Sequence, residues 1–343
     1  VRITTTAPLA VLPSMLASPA LGVVPADVPT PYPDVPVGSG PFRVRSRDGG
    51  GVQLVRSLAS PAGLDELDLV RYPDDGAAWR AYRSGQLDWS PVPAVQIAAA
   101  RGLGAARRPV EAVLFYGFNA KDAQLGDPAL RVTASRAVDR RHVSDVIYEG
   151  SALPSERLVT PVDGVSCVSP CGLGPKVAPR GGPVWRASFG IDYEQDPTQD
   201  AVARSLAADL ARAGITATPR PRPLADFQAL AASGTGQLMR LGWIAQYPGP
   251  DGELAPLFGK GAEDNLTGFE SPEFDAAVAQ ARAEADPVKR DAAYGRAEGV
   301  VLDSGVVIPL VEFEARWATA ARVRGLVVDA MGGWDPTTVS VAP

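Results

Sequence analysis

Glycine and proline punctuate this chain so densely that no element can run far before meeting a residue that turns or stops it. There are 35 glycines and 33 prolines among 343 residues, above the usual share, so short elements and many loops are expected and long coiled coils are excluded. Prolines at 25, 29, 31, 33 and 36 make residues 25–36 an extended, partly polyproline connection, read as a linker. Elsewhere proline opens helices: Asp127-Pro128, Ser271-Pro272 and Asp286-Pro287 each pair a capping side chain with the residue best suited to the first helical position.

Between these stops the pattern alternates. Residues 42–55 alternate apolar and polar around a turn at 48–51, a hairpin. A strand over 67–70, a helix from Asp74 or Asp75 to Gly85 and a strand over 87–89 follow. A strand over 112–118 leads to the Asp127 helix, whose Leu130, Ala134, Ala137 and Val138 share a face, and Asp139 caps a second helix to Gly150. Residues 151–182 read as a surface loop. Then come strand 184–189, helix 198–212, strand 215–218, helix 224–232 and strand 237–244, helices at 271–285 and 286–303, and strands at 306–311, 323–328 and 337–341. Such alternation predicts an α/β fold, and the length predicts two lobes.

Composition removes several function classes. Apolar residues are 45% and charged residues 21%, a globular balance. A net charge of −6 leaves no field to hold a phosphate backbone, so nucleic acid is not an expected partner. The 29 arginines against 4 lysines are scattered and mark a GC-rich genome rather than a function. The single histidine, His142, rules out multi-histidine metal sites and reads as a solvated residue at a helix start. No run of eighteen apolar residues occurs. The sequence opens at Val1 as if in mid-chain, with no signal peptide, so an upstream portion is expected. Cys167 and Cys171 stand in a turn-rich segment with Pro170 and Gly172; a local disulfide, suited to an exported protein, is the first reading, two free thiols the second, and metal binding the least favoured.

No common catalytic signature survives. Leu257-Phe258-Gly259-Lys260-Gly261 lacks the parts of a P-loop, and neither G-x-S-x-G nor a strand-borne G-x-G-x-x-G is present. No nucleophile and base can be named for hydrolysis. Asn265-Leu266-Thr267 matches a glycosylation acceptor, but a structural or ligand-facing Asn265 is preferred. The best site is Leu241-Gly242-Trp243-Ile244-Ala245-Gln246-Tyr247-Pro248 at a strand end, where α/β folds place ligands. Trp243 offers an apolar face, Tyr247 a hydroxyl, and Gln246 an uncharged donor and acceptor; core aromatics with a solvent-facing glutamine is the competing reading.

Five segments in order resemble the family 5 extracellular solute-binding proteins of ABC importers, which include dipeptide, oligopeptide, nickel and oligosaccharide receptors. They are Pro36-Val37-Gly38-Ser39-Gly40-Pro41-Phe42; Tyr82-Arg83-Ser84-Gly85-Gln86-Leu87-Asp88; Phe118-Asn119 with 128–131 and Ala137-Val138-Asp139-Arg140; Leu241-Gly242-Trp243 to Tyr247-Pro248; and Asn265 with Ser271-Pro272-Glu273-Phe274-Asp275, ending in Val307-Ile308-Pro309-Leu310. The resemblance implies a two-lobed, periplasmic-binding-protein-like architecture (type II, cluster C) with a hinge. Residues 37–112 and 305–343 would form lobe I and 113–304 lobe II, with 1–36 the end of a small N-terminal subdomain and its linker. The chain would cross near 111–119 and 304–312, and much of the opposite wall would lie in the missing N-terminal part.

The same resemblance implies a ligand set of Trp243, Gln246, Tyr247 and Asn265 on one wall and Phe118 and Asn119 at the hinge. Peptide receptors of the family carry an aspartate, which pairs with the ligand's α-amine, where this chain has Gln246. An amide cannot supply that bond, worth about 1.5–3 kcal/mol. Gly249 likewise stands for an acidic residue, which favours a neutral ligand such as a sugar or capped peptide, while the nearby Asp251 could replace the charge for an oligopeptide. The implied partners are that small solute and an importer permease, with no cofactor and no catalysis. The implied location is extracellular or periplasmic, with membrane attachment only through a missing N-terminal lipid anchor. The alternative is a ligand-sensing or regulatory module fused to an upstream domain.

Overall fold

The computed structural model describes residues 2–18, 21–22, 38–58, 60–100, 103, 105–161, 185 and 187–342. The expected linker 25–36 and the Cys167–Cys171 pair lie outside them. The chain divides into two compact units, Val1–Leu16 with Pro109–Phe313, and Ala17–Arg108 with Glu314–Pro343.

In the larger unit a short helix, α1 (Leu12–Leu16), is tied on by the Ala10 N–H, which donates to the Arg282 carbonyl at 2.7 Å. The smaller unit begins with β1 (Phe42–Asp48), β2 (Gly51–Arg56) and β3 (Glu66–Val70), an antiparallel sheet in that order. Asp48 makes the hairpin by accepting the Gly50 and Gly51 N–H groups at 2.7 and 3.1 Å. Helix α2 (Asp75–Arg83) is capped by Asp74 and buries Ala78, Trp79 and Ala81. Strand β4 (Trp89–Pro91) starts two residues later than expected, because its ladder to the far end of β10 (Val307–Thr319) pairs Trp89 with Thr319. A 3-10 turn and α3 (Ile97–Ala100) follow.

The larger unit is built on the sheet order β10, β5 (Ala105–Phe118), β9 (Leu238–Ile244), β7 (Ser188–Glu194), β8 (Thr216–Arg222), with the unpredicted β6 (Ala152–Pro154) on the other side of β10. Strand β7 lies four residues beyond its expected place. Its parallel ladder to β8 and the Asp192–Arg222 pair at 2.7 Å set that register. The two prolines of β8 are tolerated because it is the edge strand. Helices α4 (Pro128–Ala137), α5 (Arg140–His142, continued by a π-helical turn to Ile147), α6 (Pro197–Arg212), α7 (Leu224–Ser233), α8 (Pro250–Phe258), α9 (Pro272–Ala283) and α10 (Pro287–Asp303) cover it. In each helix opened by Asp-Pro or Ser-Pro, the residue before proline caps the first turn.

Strand alternation splits the core in two. Val113 and Phe115 of β5 join Phe258, Phe269 and Phe274, three rings packed edge-on, while Leu114, Tyr116 and Phe118 face α4 and α6. The buried Arg140 guanidinium donates to the carbonyls of Ser155, Pro309, Ser135 and Val138, binding two helices, a strand and a loop at one point. In the smaller unit β11 (Val323–Arg324) and β12 (Ser340–Val341) keep only two residues each. The longer strands expected there are interrupted by turns in which Asp329 and Asp335 accept local N–H groups.

Candidate functional site

Strand β9 ends at Ile244, and residues 245–249 carry the chain into α8. Trp243 is half-buried beside Val113, and its indole N–H donates to the Gly252 carbonyl at 2.6 Å, so it presents an apolar ring with its polar group already satisfied. Ile244 is 72% exposed. Gln246 points to solvent with its amide uncommitted among the described residues. Two glycines make the turn possible: Gly249 holds φ +109, and a Cβ at Gly252 would sit 2.5 Å from the Tyr247 carbonyl oxygen.

Below the turn lies a charged network. Tyr247 is buried and its hydroxyl donates to Asp251 at 2.6 Å; Tyr294 donates at 2.7 Å, and Arg282 donates twice, at 2.7 and 2.9 Å. Burial pushes the Asp251 carboxyl up, but the hydrogen bonds and charge of Arg282 and the two phenols bring it below its ordinary value. Asp251 is 1% exposed, so its charge is spent on Arg282 rather than offered as a substitute ligand acid. Glu111, also buried, accepts the Gly249 N–H at 3.0 and 2.9 Å, and burial raises its carboxyl despite that bond.

The other expected residues gather elsewhere. Phe118 and Asn119 sit at the far end of the β5–β9 ladder, where Phe118 pairs with Leu238 while Val113 pairs with Trp243. Phe118 is fully buried against Phe189, and Asn119 donates to the Gly234 carbonyl at 2.8 Å and accepts from the Lys121 N–H at 3.0 Å. Asn265 donates to the Phe269 carbonyl at 2.8 Å and accepts from Thr267, closing a turn that joins that same end through Ala120 N–H to Thr267. His142 is exposed. A groove of about 450 Å³ in the smaller unit, lined by Leu67, Trp89, Leu326, Trp334 and Val339 among others, holds none of the expected ligand residues.

Sequence reasoning missed Arg240. It faces Tyr116 across the ladder, and the Arg240 Nε, the Tyr116 hydroxyl and the Gln199 Oε1 are all buried without a partner. Gln199, in the first turn of α6, donates its amide to the Tyr148 hydroxyl at 3.2 Å. Burial raises the Tyr116 phenol, and the Arg240 charge partly lowers it. A guanidinium bonded to no carboxylate among the described residues, set among unsatisfied polar atoms, fits a planar anion such as a carboxylate. The one available signal was an arginine inside an apolar strand. Among the described residues no group could hold a metal ion, and no helix is long and apolar enough to cross a membrane.

Residues 1–166 match the family model described as bacterial extracellular solute-binding proteins, family 5 Middle. The probable di/tripeptide-binding protein 5 of Pseudomonas aeruginosa strain UCBPP-PA14 is 26% identical over 341 residues, covering 92% of this chain and 64% of that protein. The oligopeptide-binding protein OppA of Bacillus subtilis strain 168 is 20% identical over 348 residues, covering 86% and 59%. The solved murein tripeptide binding protein MppA of Escherichia coli superposes with a TM-score of 0.74 at 16% identity, over 99% of this chain and 72% of that one. The mixed α/β fold is that of the two-lobed periplasmic binding proteins. The chain is thus similar to family 5 solute-binding proteins in sequence, by model over its first 166 residues, and it spans about three fifths of the curated relatives it matches.

Proposed function

We propose that this chain is the substrate-binding component of an ABC importer, exported and tethered to the membrane by a lipid, which captures a peptide or other small solute for a permease without transforming it. The observation that carries the reading is the similarity along 92% of the chain to a protein described as binding di- and tripeptides. The site's chemistry supports it. The larger unit supplies an apolar ring at Trp243 and an open amide at Gln246 at the end of β9, and on the opposite face of that strand an arginine, Arg240, with a buried Nε that has no partner; among the described residues no nucleophile stands out with a base poised to activate it. Asp251 and Glu111, the acids beside this turn, are both engaged internally, so neither is open to a ligand's amine, while the Arg240 guanidinium on the other face of the strand suits a carboxylate.

The test is calorimetric titration of the purified protein with tri-alanine, tri-alanine amide, N-acetyl-tri-alanine and maltotriose, beside native mass spectrometry for any retained molecule. The peptide reading expects tri-alanine and its N-acetyl form to bind alike and the C-terminal amide at least tenfold more weakly, with Arg240→Gln erasing that difference. Binding of maltotriose alone, or steady turnover of any probe, would overturn it.

A further inference from the structure

We propose that Glu111 is a positioning residue for ligand recognition, a two-point clamp that fixes where Gln246 is presented. One residue closes both ends of a short loop. The Ala245 N–H donates to the Glu111 backbone carbonyl at 2.9 Å, and the Gly249 N–H donates to both oxygens of the Glu111 carboxylate at 3.0 and 2.9 Å. Between these points only residues 246–248 are free to bow outward. Gln246 and Pro248 are exposed while Ala245 and Tyr247 turn in, and the Tyr247 hydroxyl is held by Asp251 beneath. The tip of the loop therefore has little freedom besides the rotamers of Gln246.

Glu111 is 2% exposed and cannot itself reach a ligand, so any effect on binding passes through the loop. Burying a carboxylate is costly without strong compensation. No cation is bonded to it among the described residues; its compensation is the Gly249 amide and the N-terminus of α8, whose dipole favours a negative charge. The groups around it add no relief. Glu253, one turn into α8, is a second buried carboxylate that accepts from the Thr160 N–H and hydroxyl, and the Arg282 charge belongs to Asp251. The carboxylate here accepts the amide of a glycine at φ +109, where only the correct loop geometry brings that N–H to both oxygens.

This inference rests on the binding reading above, and its experiment separates the two. Glu111→Ala, Glu111→Gln and Gln246→Ala, singly and as Glu111→Ala/Gln246→Ala, would be compared with the parent by amide hydrogen exchange of residues 245–250 and by titration with tri-alanine. Glu111→Ala is expected to speed exchange in that segment at least tenfold and weaken tri-alanine at least tenfold. Glu111→Gln, which keeps an acceptor, is expected to restore most of both. Because the effect runs through Gln246, Glu111→Ala should cost nothing further on the Gln246→Ala background. Unchanged exchange in Glu111→Ala refutes the clamp. Faster exchange with affinity within twofold refutes its role in recognition while the binding reading stands. If the parent does not bind tri-alanine, the peptide reading falls, and the clamp is then decided by the exchange rates alone.

Discussion

Asp251→Asn separates a buried support from a ligand-facing acid. The carboxylate accepts four hydrogen bonds, two from the Arg282 guanidinium and two from the Tyr247 and Tyr294 hydroxyls. Asparagine keeps the shape, removes the charge and turns an N–H₂ group toward donors. Removing one partner of a fully buried ion pair costs about 3–5 kcal/mol. Arg282 retains 37% of its side-chain exposure and can turn partly to water, which moves the value toward the lower end. The two phenols lose charged acceptors inside the core and add back about 1 kcal/mol. The expected loss is about 3 kcal/mol by urea unfolding with an unchanged m-value. Arg282→Met added to Asp251→Asn should recover about half, because no unpaired cation then remains. Affinity for whichever probe binds should stay within threefold under conditions where the variant is folded. A stability loss under about 1 kcal/mol, or a tenfold loss of affinity in the folded variant, would refute the assignment of Asp251 to the core.

Two further outcomes follow from the buried groups and the backbone. Burial raises the carboxyls of Glu111, Glu253 and Glu298, Glu253 most clearly, with the charges of Glu111 and Glu298 adding to it. Their protonated forms stabilise the fold fully below the unfolded value of about 4.3, and that contribution is lost as pH rises through the folded values. The midpoint of thermal unfolding should therefore be higher near about pH 5.5 than near about pH 8, and Glu253→Gln should flatten the slope; a rising midpoint across that window contradicts the argument. Glu149 holds φ 51, the left-handed region, without being glycine. Glu149→Gly should stabilise by about 0.5–1 kcal/mol in the same unfolding assay, the relief of strain exceeding the added freedom of the unfolded chain; a loss would show that the Glu149 side chain outweighs its backbone.

Local chemistry was readable where it acts locally. The caps at Asp127, Ser271 and Asp286, the Asp48 hairpin and the alternation that makes the α/β sheet all depend on neighbours within a few residues. Helix α8, which holds Gly252 and Pro256, was not expected from the sequence; in the structure Gly252 admits the Tyr247 carbonyl and accepts from Trp243, a tertiary reason with no local mark. The strand expected at residues 184–189, of which Val184 and Arg186 lie outside the described residues, was misplaced because partners on β8 decide its register. In the site, the segment that carries Trp243, Gln246 and Tyr247 was visible as a run of residues. The commitment of Asp251 was not, since Arg282 stands 31 positions away. Tyr116, Tyr148, Gln199 and Arg240 come from four elements and meet only when the sheet forms.

The larger unit is interrupted only near its start, whereas the smaller unit is assembled from Ala17–Arg108 and Glu314–Pro343. Strand β4 finds its ladder only on residues 317–319, and Trp79 and Val92 share their core with Ala318. During synthesis, the front of the smaller unit therefore emerges without the strand that completes it and waits while the whole of residues 109–313 is made. Any chaperone or secretion machinery handling this chain has most to shield in the segment 38–100, and truncations after about residue 313 should leave the larger unit folded beside an orphaned N-terminal piece.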